Sequence, residues 1–294
     1  MQIFLHFNMQ IYTKASGADL CTKRQVIKDN CHKYKVSAMF KTLGISRASY
    51  YYKTKEKPDD SALEAEIIQV FTDNRKAYGT RKIKASLDQN VSRRKIGRIM
   101  KKFQLESVYT KKKFKRHKTS VSEAPIKNEL NRQFTECKPI EAIVTDLTYV
   151  NVNGVWHFVC VILDLFNREM IGCAVGEHKD AELVKRALAT IPYNCAQIQY
   201  FHTDRGNEFD NKTVDAFLEA FGIIRSLSEK GTPYDNAVAE STYKSFKAEF
   251  IYQEKFHTLR ELEVKTLDFV NWWNTKRVHG TLNYKTPAQV RDEV

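Results

Sequence analysis

Two long apolar segments joined by Asn153-Gly154 constrain the fold of this chain more than any other feature of its sequence. EAIVTDLTYVNV runs into this pair, and VWHFVCVILDL follows directly after it. Asn-Gly between two segments rich in β-branched and aromatic residues is the strongest short-range signal of a β-hairpin, because both residues tolerate a positive φ. The sequence therefore predicts two antiparallel strands here, and a third strand at about 169–175.

After this hairpin, predicted helices alternate with predicted strands. The strands are AQIQYFHTD, which ends at Asp204, and the shorter GIIRSL; the helices lie at 181–190, 211–221 and 236–250. The order βββαβαβ followed by a helix is typical of a ribonuclease-H-like α/β fold, a mixed five-stranded sheet with helices on both faces.

The residues before the hairpin are predicted to be helical. VSAMFKTLGISRASYYY, at 36–52, has a weak helix-turn-helix pattern around Gly44, and three helical stretches follow within 62–105. Polar residues without a clear period separate this region from the strands. We therefore expect five parts: an N-terminal segment at 1–60, a basic helical DNA-binding domain at 61–118, a linker at 119–138, a catalytic core at 139–252 and a helical extension at 253–294.

The positive charge of the chain is concentrated in one segment. The formal net charge is +13, from 48 basic and 35 acidic residues. Residues 75–118 contain 17 of the basic residues and two acidic ones, a net charge of +15, so the other 250 residues carry −2. A localised basic segment is expected to bind a polyanion, with DNA or RNA ahead of an anionic membrane. The alternative is a solvated basic face without a partner.

One helix in this segment separates its apolar and basic residues. In SRRKIGRIMKKFQL, Ser92 is a candidate N-cap, and apolar residues recur at the i, i+3, i+4 and i+7 positions of one helix face. Arg94, Arg98 and Lys101 lie on another face, where they are available to contact phosphates. The apolar positions are Ile96, Ile99, Met100 and Phe103.

Three acidic residues are candidates for chemistry. Asp146 lies within the first strand, Asp204 ends the fourth, and Glu240 lies near the start of the 236–250 helix. The first and fourth strands are neighbours in the proposed sheet, so their carboxylates are expected to meet. Converging carboxylates repel one another unless cations lie between them, and Mg²⁺ prefers oxygen ligands. Taken singly, each residue is more often an ordinary surface acid or helix cap than a catalytic residue.

The motifs around these acids resemble those of bacterial insertion-sequence transposases. TDLTY at 145–149, HTDRGNEF at 202–209 and YDNAVAES at 234–241 are similar to the DDE motifs of the orfB products of the IS three family, whose core is similar to retroviral integrase. Thirty-five residues separate Asp204 from Glu240, the spacing of that family. WNTKRVHGTL at 273–282 resembles the C-terminal motif of the family, although Trp273 replaces the usual Tyr and Ile143 stands where a Trp commonly precedes the first motif.

The resemblance implies a function and a set of site residues. Asp146, Asp204 and Glu240 would be catalytic and would bind two Mg²⁺ ions, with Mn²⁺ as a possible substitute, for cleavage and strand transfer of DNA. Lys247 matches a basic residue of the family, and Lys244 lies on the same helix face; ordinary solvation is the alternative for both. His202 would orient a ligand or the scissile phosphate, or else is a strand-end histidine. Arg277 is a further candidate for DNA contact, although the helix before it is expected to pack on the core.

The resemblance also implies partners, and the sequence itself argues against a membrane span. The partners would be double-stranded DNA at element ends and in the target, further copies of the chain on paired ends, and an upstream orfA product as fusion or partner. No apolar run reaches the ~20 residues of a membrane span, no signal peptide is recognisable, and the six cysteines include no CxxC pair. We therefore expect a cytoplasmic, nucleoid-associated protein. A ribonuclease-H-like nuclease that only hydrolyses, and a non-catalytic DNA-binding regulator, are the alternatives.

Overall fold

The computed structural model describes residues 17–52, 59–110, 137–204, 206–227 and 237–294. The chain divides into two compact units, residues 1–60 and 61–294. Most of the predicted linker, at 119–136, and the basic run KKKFKRHK lie outside the described residues. Among the described residues, no helix is long and apolar enough to cross a membrane.

Within residues 17–52, the described part of the first unit has three helices: α1 (Leu20–Asn30), α2 (Val36–Leu43) and α3 (Arg47–Tyr51). Gly44 ends α2 in the left-handed conformation at φ 59°, which glycine adopts without steric cost. Ser46 then caps α3 by accepting a hydrogen bond from the backbone N–H of Ser49 at 2.9 Å. The helix-turn-helix geometry predicted around Gly44 is therefore present.

The second unit begins with three helices, α4 (Ser61–Asp73), α5 (Thr80–Ser86) and α6 (Arg93–Lys102). The predicted N-cap Ser92 accepts a hydrogen bond from Lys95 N at 3.3 Å. Ile96, Ile99 and Met100 are buried as predicted. Phe103 is not: it follows the last helical residue and is 38% exposed, because the helix ends before its fourth apolar position reaches the core.

The five strands are β1 (Ala142–Val152), β2 (Val155–Asp164), β3 (Met170–Gly176), β4 (Tyr200–Thr203) and β5 (Ile224–Leu227). Their order in the sheet is β3-β2-β1-β4-β5, with β1–β2 and β2–β3 antiparallel and β1–β4 and β4–β5 parallel. Asn153 and Gly154 both have positive φ, 47° and 90°, as a type I′ turn requires. The predicted mixed ribonuclease-H-like sheet is confirmed.

Helices cover both faces of this sheet. Helices α7 (Ala181–Ala189) and α8 (Lys212–Phe221) pack on one apolar core, which includes Ile143, Ile162 and Phe201. The other, larger core joins the opposite sheet face to α9 (Ala237–Glu249), to α10 (Leu259–Thr275) and to the helices α4–α6. The last helix is α11 (Pro287–Arg291).

The six cysteines are all free thiols, and Cys160 and Cys173 are buried in the sheet. Burial raises the pKa of both thiols, to about 12 for Cys160 and to about 11 for Cys173. Both therefore stay protonated at neutral pH and behave as small apolar side chains.

Candidate active site

Asp146 and Asp204 lie on neighbouring parallel strands at the end where β4 stops. The β1–β4 pairing runs from Ala142↔Tyr200 to Val144↔His202, so Asp146 and Asp204 each lie two residues beyond its last pair. Asp146 accepts a hydrogen bond from the backbone N–H of Leu147 at 2.7 Å, and Asp204 accepts one from that of Gly206 at 3.1 Å. The structure therefore brings these two predicted acids together.

Both aspartates have raised pKa values. Burial, followed by the negative charge of Asp204, raises the pKa of Asp146 to about 7. Asp204 is exposed, but the surrounding protein still removes part of its water and raises its pKa, and the charge of Glu208 adds to this effect. A raised pKa means that the ionised form of the carboxyl group is disfavoured unless a cation lies beside it. Carboxyl groups with such shifted pKa values are typical of functional sites.

Glu240 lies in the first turn of α9, and its side chain is exposed. Helix α9 is fixed to the sheet one turn later, where the Tyr243 hydroxyl accepts from Val161 N at 2.7 Å and contacts the carbonyl oxygen of Asp146. Within the described part of the chain, no three His, Cys, Asp or Glu side chains are close enough to hold a metal ion together. The third acid is thus on a helix anchored beside Asp146 but is not clustered with the two aspartates.

The donor set nevertheless suits Mg²⁺. This ion is usually held by one or two carboxylates together with waters and substrate phosphates, rather than by a complete protein cage. Asp146 and Asp204 supply two such carboxylates, and both have raised pKa values.

Two residues near the aspartates were missed by the sequence analysis. Lys179 lies between β3 and α7 and forms an ion pair with the buried Glu208, with Nζ 2.8 Å from Oε1. Burial lowers the pKa of Lys179, but Glu208, Asp204 and Asp146 outweigh this effect and raise it. The signal was in the topology: β3 is parallel to β1 and β4, so the residues after it meet the same end of the sheet.

Lys247 and Lys244 follow Glu240 on α9, as predicted. The Lys247 ammonium lies 5.6 Å from the ring centroid of Tyr149, and its charge lowers the pKa of Asp146. Lys244 is exposed. The structure therefore places Lys247 close to the carboxylates and leaves Lys244 on the surface.

The predicted basic face of α6 is exposed. Arg94, Arg98 and Lys101 are all exposed, opposite the buried Ile96 and Ile99. Because α5 and α6 form a helix-turn-helix pair, this face of the second helix is the one that such motifs present to DNA.

His202 fits its second interpretation, a strand-end histidine, whereas Arg277 is not placed where its predicted role in DNA contact requires. His202 is fully buried in β4, with Nδ1 2.9 Å from the Ser226 hydroxyl of β5, so it joins two strands inside the sheet. Arg277 is 6% exposed, and its guanidinium donates two hydrogen bonds to Glu249 at 2.6 and 2.7 Å. A buried, doubly bonded guanidinium is not available to a DNA phosphate, so Arg277 is a structural residue in this fold.

The C-terminal motif explains this burial. Trp273 donates from Nε1 to the carbonyl of Arg168 at 2.9 Å, and Asn274 bonds both backbone groups of Met170 at 2.9 Å. The His279 ring packs edge-on against Trp273 at 4.7 Å. The motif thus clamps α10 to β3, as its predicted packing role requires, and the Trp in place of Tyr supplies the hydrogen bond.

Comparison with known proteins agrees with this architecture. Residues 136–233 and residues 222–287 each match a family described as an integrase core domain, and residues 57–113 match an HTH-like domain. The transposase for insertion sequence element IS629 of Shigella sonnei is 29% identical over 276 residues, covering 87% of this chain and 91% of that protein. InsK of insertion sequence element IS150 from Escherichia coli (strain K12) is 28% identical over 269 residues, covering 88% and 94%.

Among solved structures, the catalytic core domain of HTLV-2 integrase in complex with magnesium matches with a TM-score of 0.41 and 16% identity, covering 52% of this chain and 96% of that chain. The resemblance to insertion-sequence transposases that the motifs indicated is thus confirmed by the sequence relatives. The chain is similar over most of its length to insertion-sequence transposases, and within this chain an HTH-like domain precedes an integrase core.

Proposed function

We propose that this chain is a DDE transposase that cleaves DNA at the ends of an insertion sequence and joins those ends to target DNA. The observation that supports it best is the pair of carboxyl groups with raised pKa values, Asp146 and Asp204, at the same end of neighbouring parallel strands of an integrase core. The exposed basic face of α6 adds the DNA-binding surface that such an enzyme needs.

In this mechanism Asp146, Asp204 and Glu240 hold two Mg²⁺ ions, or Mn²⁺ in their place. Bound there, the ions supply stabilisation of the attacking and leaving oxygens in an in-line displacement at phosphorus. Water is the nucleophile for cleavage, and a DNA 3′-hydroxyl is the nucleophile for joining. The protein positions the strand, and among the described residues Lys247 and Lys179 are cations whose charges act on Asp146.

Several partners follow from the same proposal. The protein would act as a homo-oligomer on paired element ends, with an upstream orfA product as a fusion or partner. It would act where chromosomal DNA is found, in the bacterial cytoplasm.

Conservative removal of each carboxylate charge tests the assignment. Asp146→Asn, Asp204→Asn and Glu240→Gln should each lower end cleavage by about 10²–10³-fold or more, because each removes a charge that acts on the reacting phosphate. Binding of end DNA should stay within a few-fold of wild type. The Mg²⁺-dependent rise in Tm should shrink in the Asp146 and Asp204 variants, since a ligand stabilises only the state that binds it.

Asp210→Asn is the matched control, because Asp210 is an exposed acid six residues from Asp204. Full cleavage by Asp204→Asn would contradict the site assignment. Wild-type protein that cleaves but never joins pre-cleaved ends would be a hydrolytic nuclease. Protein that binds ends without cleaving them under any metal condition would be a regulator.

A further inference from the structure

The hairpin of β1 and β2 carries an exposed aromatic pair beside the candidate active site. Tyr149 is 63% exposed and Trp156 is 56% exposed, although both belong to the central strands of the sheet. Their rings meet edge to face, with centroids 5.3 Å apart. Val155, next to them, is 62% exposed. Two exposed rings in contact mark a binding surface more often than scattered single residues do.

Trp156 is unlike the other two tryptophans of the chain. The sequence contains three Trp residues, and Trp272 and Trp273 are 5% and 2% exposed within the larger core. An edge-to-face pair is rigid, and an indole with more than half of its surface in water has a π face available to a flat ligand. Trp156 therefore differs from Trp272 and Trp273, because it is not part of a buried core.

The charge and position of the patch indicate its ligand. Lys247 lies close to both the Tyr149 ring and Asp146, since it is 5.6 Å from the ring centroid and its charge lowers the pKa of that aspartate. Tyr149 is three residues from Asp146 along β1, ~10 Å along the backbone, and this odd spacing directs the two side chains to opposite faces of the strand, with Lys247 close to both. Stacked nucleotides rise ~3.4 Å each, so about three nucleotides span this distance.

We infer that Tyr149 and Trp156 form a stacking platform for an unpaired DNA base a few nucleotides from the scissile phosphate. An aromatic face beside a cation is the arrangement by which proteins hold single-stranded nucleic acid without reading its sequence. The platform holds the end of the element open, with the displaced base on the rings and its phosphate beside Lys247. This inference rests on the proposed function, because it assumes that DNA reaches Asp146.

The fluorescence of Trp156 can be used to detect its contact with a DNA base. Because Trp272 and Trp273 are buried, quenching of intrinsic fluorescence by DNA bases reads mainly Trp156. Full-length protein is titrated with two probes of the same terminal sequence, a blunt duplex and a fork with five unpaired terminal nucleotides. We expect stronger quenching and tighter binding with the fork.

Variants separate stacking from folding. Trp156→Ala with Tyr149→Ala should reduce the preference for the fork over the blunt duplex by about 10-fold or more, while leaving binding of the blunt duplex unchanged. Trp156→Phe should retain the preference and lose the quenching. Tyr252→Ala is the matched control, because Tyr252 is 70% exposed and belongs to a different element, the short helical turn at Ile251–Gln253. Thermal denaturation checks that each variant folds.

An unchanged fork preference in the Trp156→Ala, Tyr149→Ala variant would overturn the inference. So would loss of self-association in that variant with no change in DNA preference, which would make the patch an interface between copies. The proposed function fails by a different result, cleavage by Asp204→Asn, which does not involve the fork preference.

Discussion

Lys247 is the single residue that links the candidate catalytic Asp146 to the exposed ring of Tyr149, because its ammonium is close to both. A lysine seven residues after Glu240 lies ~10 Å along the helix axis, too far to share a metal with it but well placed to hold the flanking strand. Lys247→Ala should therefore lower joining of cleaved ends by about 10²-fold, since positioning is sensitive to shifts of about 1 Å. Metal-dependent stabilisation should persist.

Lys244→Ala is the control for this prediction, since Lys244 is exposed on the same helix and has the same charge. It should reduce joining mildly or not at all. Crosslinking from position 247 should reach DNA near the element terminus. Normal joining by Lys247→Ala, with crosslinks only to distant duplex, would return Lys247 to ordinary helix surface.

Lys82 on α5 should make the stability of the protein depend on pH. Burial, and then the charge of Arg277, lowers the pKa of Lys82 to about 7, although Glu249 opposes this. An unfolded lysine keeps a pKa near 10.5. Between these values the unfolded chain binds more protons, so this residue makes stability rise with pH, and its penalty is complete below pH 7.

Lys82→Met should therefore stabilise the protein by roughly 1–3 kcal/mol at pH 6, with the gain vanishing towards pH 10.5. Urea denaturation at pH 6, 8 and 10 measures this. Lys84→Met, at an exposed position of the same helix, should show no such trend. A gain that is equal at all three pH values would show that packing, not charge, is responsible.

The residue scale also shows what a sequence can predict. Asp146 and Asp204 could be identified because motif and spacing specify them. The burial of His202 and Arg277 could not, since it depends on Ser226 and Glu249, which are 24 and 28 residues away. Lys179 was missed because its partner Glu208 belongs to another loop.

At the scale of elements, the end of α9 is held by a buried ion pair. Arg277 and Glu249 have side chains 7% and 0% exposed, and the Tyr109 hydroxyl also donates to Glu249. The pair joins three parts of the second unit: the segment after α6, the helix that carries Glu240, and the C-terminal motif. Strands and helix caps were predictable from local pattern, but this junction was not, because none of its residues is close to another in sequence.

Arg277→Met should destabilise the protein by about 3–5 kcal/mol, because it leaves the Glu249 carboxylate buried and unpaired. The double variant Arg277→Met with Glu249→Met should recover most of the loss. Urea denaturation at pH 7 gives both values. Arg260→Met is the control, since Arg260 pairs with Glu263 while 78% exposed and should cost less than about 1 kcal/mol. Equal losses at positions 260 and 277 would contradict the junction.

At the scale of the whole molecule, charge and chemistry are separated along the chain. Residues 75–118 carry +15, while the remaining 250 residues, including the acidic site, carry −2. The sequence sufficed for this division because charge is additive and needs no geometry. It could not show how closely the two parts are joined, since Tyr78 and Tyr109 contact the C-terminal motif and α9 only in the folded chain.

The basic face of α6 should account for a definite share of the salt dependence of DNA binding. Each phosphate contact releases counterions and contributes about 0.9 to the slope of log K against log salt. Replacing Arg94, Arg98 and Lys101 together by Ala in the full chain should therefore lower that slope by up to ~2.7 and weaken binding at low salt. Replacing three exposed basic residues elsewhere, Lys185, Lys255 and Arg260, removes the same charge and should change the slope little. If both triple variants lost the same slope, affinity would follow net charge rather than this helix, and the HTH-like domain would not be the principal DNA contact.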